Sequence, residues 1–142
     1  MANTKTYDTI RALVAEIAPE YSFIFANVNM ANVRADDAHF PLAYLEEMTG
    51  ATYAIDPYGR VRKFAPIEIY FLRRAPMQGE AVGRDEIRAQ IEAEVVHPLI
   101  LALAERYPTI SNITADYPPA LFDDNDVGIC LRFQIEVEGG IC

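Results

Sequence analysis

The strongest constraint on this chain lies near its end, in "VGICLRFQIEV" from 127 to 137. Val127, Ile129, Leu131, Phe133, Ile135 and Val137 alternate strictly with Gly128, Cys130, Arg132, Gln134 and Glu136. A period of two belongs to a strand with one face in a core, because successive side chains point to opposite sides of a pleated backbone. Slipping the register by one residue would expose all six apolar side chains, so the pairing of this strand is firmly set.

Its partners are legible upstream. "YSFIFANV", from 21 to 28, is aromatic and β-branched on both faces and reads as a central strand or one covered on both sides. "FPLAYLEE" and "TGATYAID" read as two more strands. Asp56-Pro57-Tyr58-Gly59 then has the residues of a type I turn, which predicts a β-hairpin leading into "RVRKFAPIEIYFLRR". Pro66 has no amide donor and belongs at an edge or a bulge. Past it, Ile67, Ile69 and Phe71 face one way, with Glu68, Tyr70 and Leu72 on the other. Residues 110–115 make a short strand before the last one.

Two helices supply the cover. Ile10, Leu13, Val14 and Ile17 form one apolar stripe, Asp8 is placed in the first turn, and Pro19 ends the helix. A long helix is predicted from about Arg84 or Asp85 to Arg106, with Ile87, Ile91, Val95, Leu99 and Leu103 stepping along one face. Pro98 removes its bond back to Glu94 and predicts a kink, and Pro108 follows the helix end. The segments 29–39 and 75–83 read as loops. The order α-β-β-β-α-β-β predicts an α+β fold, a mostly antiparallel sheet of about four to five strands packed against two helices. No repeat or linker interrupts it, so residues 1–142 form a single domain.

Charge narrows the function. Twelve basic residues against 21 acidic ones give a formal net charge of −9, which disfavours gripping nucleic acid. Two cysteines, Cys130 and Cys142, make neither a disulfide framework nor a zinc knuckle. The N-terminus lacks the regions of a signal peptide, and no apolar run is long enough to span a bilayer. The expectation is a soluble chain made in a reducing cytoplasm.

No catalytic constellation stands out. Asp123, Asp124 and Asp126 surround Asn125 as hard-cation ligands would, but the run lacks the glycine and glutamate of a calcium loop. Local bonding of Asp and Asn to the backbone is the simpler reading. His39 and His97 have no second ligand at helical spacing. Cys130 reads as a small residue packed under a helix rather than a reactive thiol. Glu46 and Glu47, adjacent on a strand, point to opposite faces. Glycine-rich phosphate motifs and the GxSxG elbow are missing.

Basic residues do cluster. Arg60, Arg62, Lys63, Arg73 and Arg74 face only Glu68 in their stretch, and Arg84 and Arg88 follow. One reading is a solvated strand edge protected by charge. The other is a basic patch on an acidic protein, suited to acidic neighbours or to copies of itself.

In order and spacing, these features resemble the tail terminator (tail-completion) proteins of long-tailed bacteriophages, the group typified by the minor tail protein U of phage lambda. The segments that carry the resemblance are "YDTIRALVAEIA", "ADDAHFPLAYLEE", "FAPIEIYFLRRA", "DEIRAQIEAEVVHPLILAL" with its central proline, and "ADYPPALFDDNDVGICLRFQIEVE". The resemblance implies a non-enzymatic virion protein, made in the bacterial host cytoplasm. It would form a hexameric ring that caps the tail tube, stops its polymerisation and meets the head-tail connector. A head-to-tail ring suits a lopsided charge distribution. Arg60, Arg62, Lys63, Arg73 and Arg74 of one copy are therefore expected to meet Asp123, Asp124 and Asp126 of the next. An acidic lining would let DNA pass without sticking. No cofactor is expected; Mg²⁺ or another divalent cation enters only as an aid to assembly, and no ligand residue is assigned. Two other readings stand beside this one. They are a small-ligand-binding or enzymatic domain using His39, His97 and the acidic loop, and the terminator of a phage-derived contractile injection machine.

Overall fold

In the computed structural model, which describes residues 2–26, 41–74, 81–118 and 126–137, the alternating stretch is the last strand of a six-stranded sheet. The elements are α1 (Ala2–Ile17), β1 (Ser22–Ala26), β2 (Leu42–Glu46), β3 (Thr52–Ile55) and β4 (Val61–Arg74). There follow the long helix α2 (81–106), β5 (Ser111–Asp116) and β6 (Asp126–Val137). The fold is α+β, and each of the six segments read as a strand forms one, one more than the count of four to five.

Two long strands form the spine. β4 and β6 run antiparallel, in register from Lys63 opposite Val137 to Arg74 opposite Asp126. β5 closes one side of the sheet against β6, and β1 and β2 extend the other side beyond β4. β3 pairs with β4 as the predicted hairpin, and only β1 and β2 are parallel. β3 takes residues 61–64 of β4 and β2 takes 69–72, on the same side. Pro66 falls in the gap between them, where a residue without an amide donor is tolerated.

All six alternating residues of β6 are buried, and the five from Ile129 to Val137 join Ile67, Ile69 and Phe71 in the core that the helices cover. From the helices come Ile10 and Val14 of α1 and Ile91, Val95, Leu99 and Leu103 of α2. Gly128 is dictated by the close approach of the spine strands, since a Cβ there would run into the carbonyl oxygen of Phe71. That contact is with backbone, which has nowhere to move.

Four expectations change. α1 begins at Ala2, so Asp8 sits well inside the helix rather than in its first turn. β1 is an end strand, although both of its faces find cover: Phe25 lies against Tyr7 at 4.0 Å and Ile24 is buried on the other side. α2 starts at Ala81, within a segment read as loop. Cys130 is buried, but on the face away from the helices, because it alternates with residues that face them.

The helix departs from regular α geometry just before Pro98. Residues Glu92–Val96 widen into a π turn, and the amide of His97 donates to Glu92 five residues back. Strict four-residue spacing of apolar side chains drifts by about 40° per step on a regular α-helix, at about 100° per residue. Inserting one residue in a wider turn cancels most of that drift and keeps Ile91, Val95, Leu99 and Leu103 on the sheet.

Candidate functional site

Two surfaces carry unusual chemistry. The first is a row across the face of the sheet away from the helices, where Ile24, Tyr44, Tyr70, Cys130 and Asp116 stand opposite one another in register. Tyr44 and Tyr70 stack with centroids 5.4 Å apart. The hydroxyl of Tyr44 donates to Glu46, and that of Tyr70 lies 3.5 Å from Glu68. Arg132 reaches back to Glu68 at 3.2 Å and also pairs with Asp116. This network satisfies the polar groups of a face that also buries Leu42 and Leu72. It is a poor site for nucleophilic chemistry. Burial pushes the Cys130 thiol up to about 11, and burial likewise raises both phenols, so all three keep their protons at neutral pH.

The second surface is the β3–β4 hairpin. Its turn is built by Asp56, whose carboxylate accepts from the amides of Tyr58 and Arg60, both at 2.9 Å. Its carbonyl accepts from Gly59, which takes φ +81°, a conformation only glycine adopts freely. The Arg60 amide, followed by the other donors around it, holds the Asp56 carboxyl below the ordinary carboxylate range.

Beyond this well-made turn the hairpin is bare. Tyr53, Ile55, Tyr58 and Val61 are all largely exposed, reaching 75% for Ile55 and 84% for Tyr58. The pairings Tyr53–Lys63 and Ile55–Val61 place those four residues on one face. That face is the one that, from Ala65 onward, lies under the helices. The hairpin therefore carries the core face of the sheet past the end of its helical cover. Its other face is anchored, with Arg62 donating to both oxygens of Glu136 at 2.9 and 2.6 Å. The hydrogen bonds from Arg62 lower the Glu136 carboxyl.

The five basic residues expected to act together lie in two places. Arg60, Arg62 and Lys63 belong to the hairpin; Arg73 and Arg74 lie at the far end of β4. At about 3.3 Å per residue the separation from Arg62 to Arg73 is roughly 36 Å. Arg73 works within the chain, donating to Tyr21 at 2.8 Å, Gln90 at 3.3 Å and Glu94 at 2.7 Å. It thereby clamps β4 to α2. Arg74 stands in register opposite Asp126 of the same chain. Asp123, Asp124 and the side chain of Asp126 lie outside the described residues, as do His39, Cys142 and the segment 29–39. His97 is exposed on α2. Among the described residues no group of three or more His, Cys, Asp or Glu side chains is placed to hold a metal ion.

The exposure of the hairpin was the feature missed. A strand pattern signals which residues share a face, whereas the place where a helical layer stops is a property of the tertiary packing. The one available signal was "TYAI" followed by "YGRV", where large apolar residues sit close to a turn that would ordinarily be polar. Searches with the chain find no matching family model and no matching curated protein.

Proposed function

We propose that this chain is a structural subunit of a virus particle. Copies assemble head to tail into a ring that caps the phage tail tube, ends its polymerisation and joins the tail to the head. The observation that carries the reading is the β3–β4 hairpin, whose apolar face is bare, flanked by cations and joined to an otherwise acidic molecule. Exposed large apolar side chains gathered on one element mark a surface that works when covered by protein. The resemblance of the chain to tail terminator proteins supplies the setting: copies of itself, the tube protein and the head-side connector as partners. Among the described residues, the polar row keeps its thiol and phenols protonated and lends no support to the enzymatic alternative, whose His39 and acidic loop lie outside the described residues. The terminator of a contractile injection machine would use the same surfaces.

Negative-stain electron microscopy of the purified protein, concentrated with and without Mg²⁺, tests this reading. Rings with six-fold symmetry and an axial channel are expected. Added to polymerising tube protein encoded alongside it, the chain should shorten the tubes. Particles that remain single subunits under all conditions, and tubes of unchanged length, would overturn the reading.

A further inference from the structure

The hairpin has a charge opposite to that of the rest of the molecule. Its segment 52–64 holds Arg60, Arg62 and Lys63 against Asp56, a net of +2 on a chain of −9, so the remaining residues carry −11. A hairpin packed on its own symmetry mate would bring like charges together, whereas an acidic surface elsewhere on a second copy attracts it. The contact is then heterologous, the kind that closes into rings.

Within the chain, the face bearing Tyr53, Ile55 and Val61 is covered farther along by helices. The described surface has one exposed helical stripe suited to continue that layer. Leu101 of α2 is 72% exposed, more than any other large apolar residue described outside the hairpin. His97 and Glu105 lie one turn to either side of it, both exposed; Glu94, one turn before His97, is exposed but already paired with Arg73. The competing apolar groups are engaged: Phe25 packs on Tyr7, and Tyr117 lies under Arg88 and donates to Glu92. Ile113 is only 39% exposed, on an edge strand already bent by a register shift.

We infer that the β3–β4 hairpin of one copy docks on the outer face of α2 of the next copy, around Leu101. Ile55 and Val61 meet Leu101, and Lys63 reaches Glu105, while Arg60, exposed although paired with Asp56, adds to the positive field of the hairpin. This inference rests on the ring reading above and names the contact that builds the ring.

Two variants test it, Ile55→Asp on the hairpin and Leu101→Asp on the helix. Both positions are exposed, so each variant is expected to keep the far-UV spectrum and melting curve of the natural chain; Val61→Asp replaces Ile55→Asp if that one unfolds. Molar mass from light scattering should show each variant alone assembling at least tenfold more weakly than the natural chain. Mixed in equal amounts, they should form a dimer and stop, because one intact hairpin then faces one intact helix. If the mixture stays monomeric, or Leu101→Asp assembles normally, while the natural chain still forms rings, this contact is wrong and the ring reading stands. A natural chain that is monomeric at every concentration overturns both.

Discussion

The two halves of β4 belong to one continuous strand and have opposite fates. From Ile69 to Leu72 the strand lies between β2 and β6, and every residue but the half-buried Tyr70 is buried. From Val61 to Phe64 it pairs with β3, whose four residues are all exposed. Large apolar residues alternate in β3, at Tyr53 and Ile55, as they do in the inner half of β4, so alternation alone does not bury a strand. The inner half packs into one core with side chains of α1 and α2, and the outer half lies beyond that core. The inner half should therefore answer to stability measurements and the outer half to association.

Breaking the inner half gives the largest effect. Phe71→Ala should destabilise the fold by about 3–5 kcal/mol in urea unfolding, because a fully buried ring leaves a cavity the spine cannot collapse. Gly128→Ala should cost about 1–3 kcal/mol, since the new methyl meets the Phe71 carbonyl. An unchanged midpoint for either would mean that the spine is looser than the register implies.

The hairpin variants lie at the other end of the scale. Ile55→Asp should change folding stability by no more than about 0.5 kcal/mol, the range of surface substitutions, while it disrupts association. A large loss of stability would place Ile55 in the folding core and dissolve the contrast. The smallest effect concerns pH. Asp56 has a folded pKa below its ordinary value of 3.8, so its contribution is complete above that value and is lost as pH falls through the folded one. The amide signals of Tyr58 and Arg60 should therefore titrate only in that acid range, and Asp56→Asn should abolish the transition. Titration near neutrality would show that the turn is held by something else.

Much of this architecture was legible in the residues. The register of β6, the Asp56–Gly59 turn and the faces of β4 follow from spacing and from the backbone preferences of Asp, Pro and Gly. The failures share one cause, which is that local pattern says little about position in the assembly of elements. Of the two readings of "SFIFA", the covered strand holds and the central one does not, because α1 and the cluster on the far face cover an end strand without a further strand. Cys130 was assigned to a helix-covered face although its alternation with Ile129 and Leu131 excludes it from that face. The π turn was written in the repeated four-residue steps of α2, a spacing that a regular helix does not hold on one face. The basic stretch from Arg60 to Arg74 looked continuous because an extended strand of that length separates its ends more than sequence distance suggests. Its two ends serve different purposes: Arg73 binds β4 to α2, and Arg60 and Lys63 flank the bare hairpin.

The central claim is that the hairpin is built to be covered by another copy. Light scattering on the natural chain and on Ile55→Asp, across one concentration series and with melting curves recorded in parallel, tests it most directly. The account predicts that the mass of the natural chain rises to a closed oligomer while the variant keeps the monomer mass, at equal melting temperature. Equal masses for the two proteins at every concentration would contradict it.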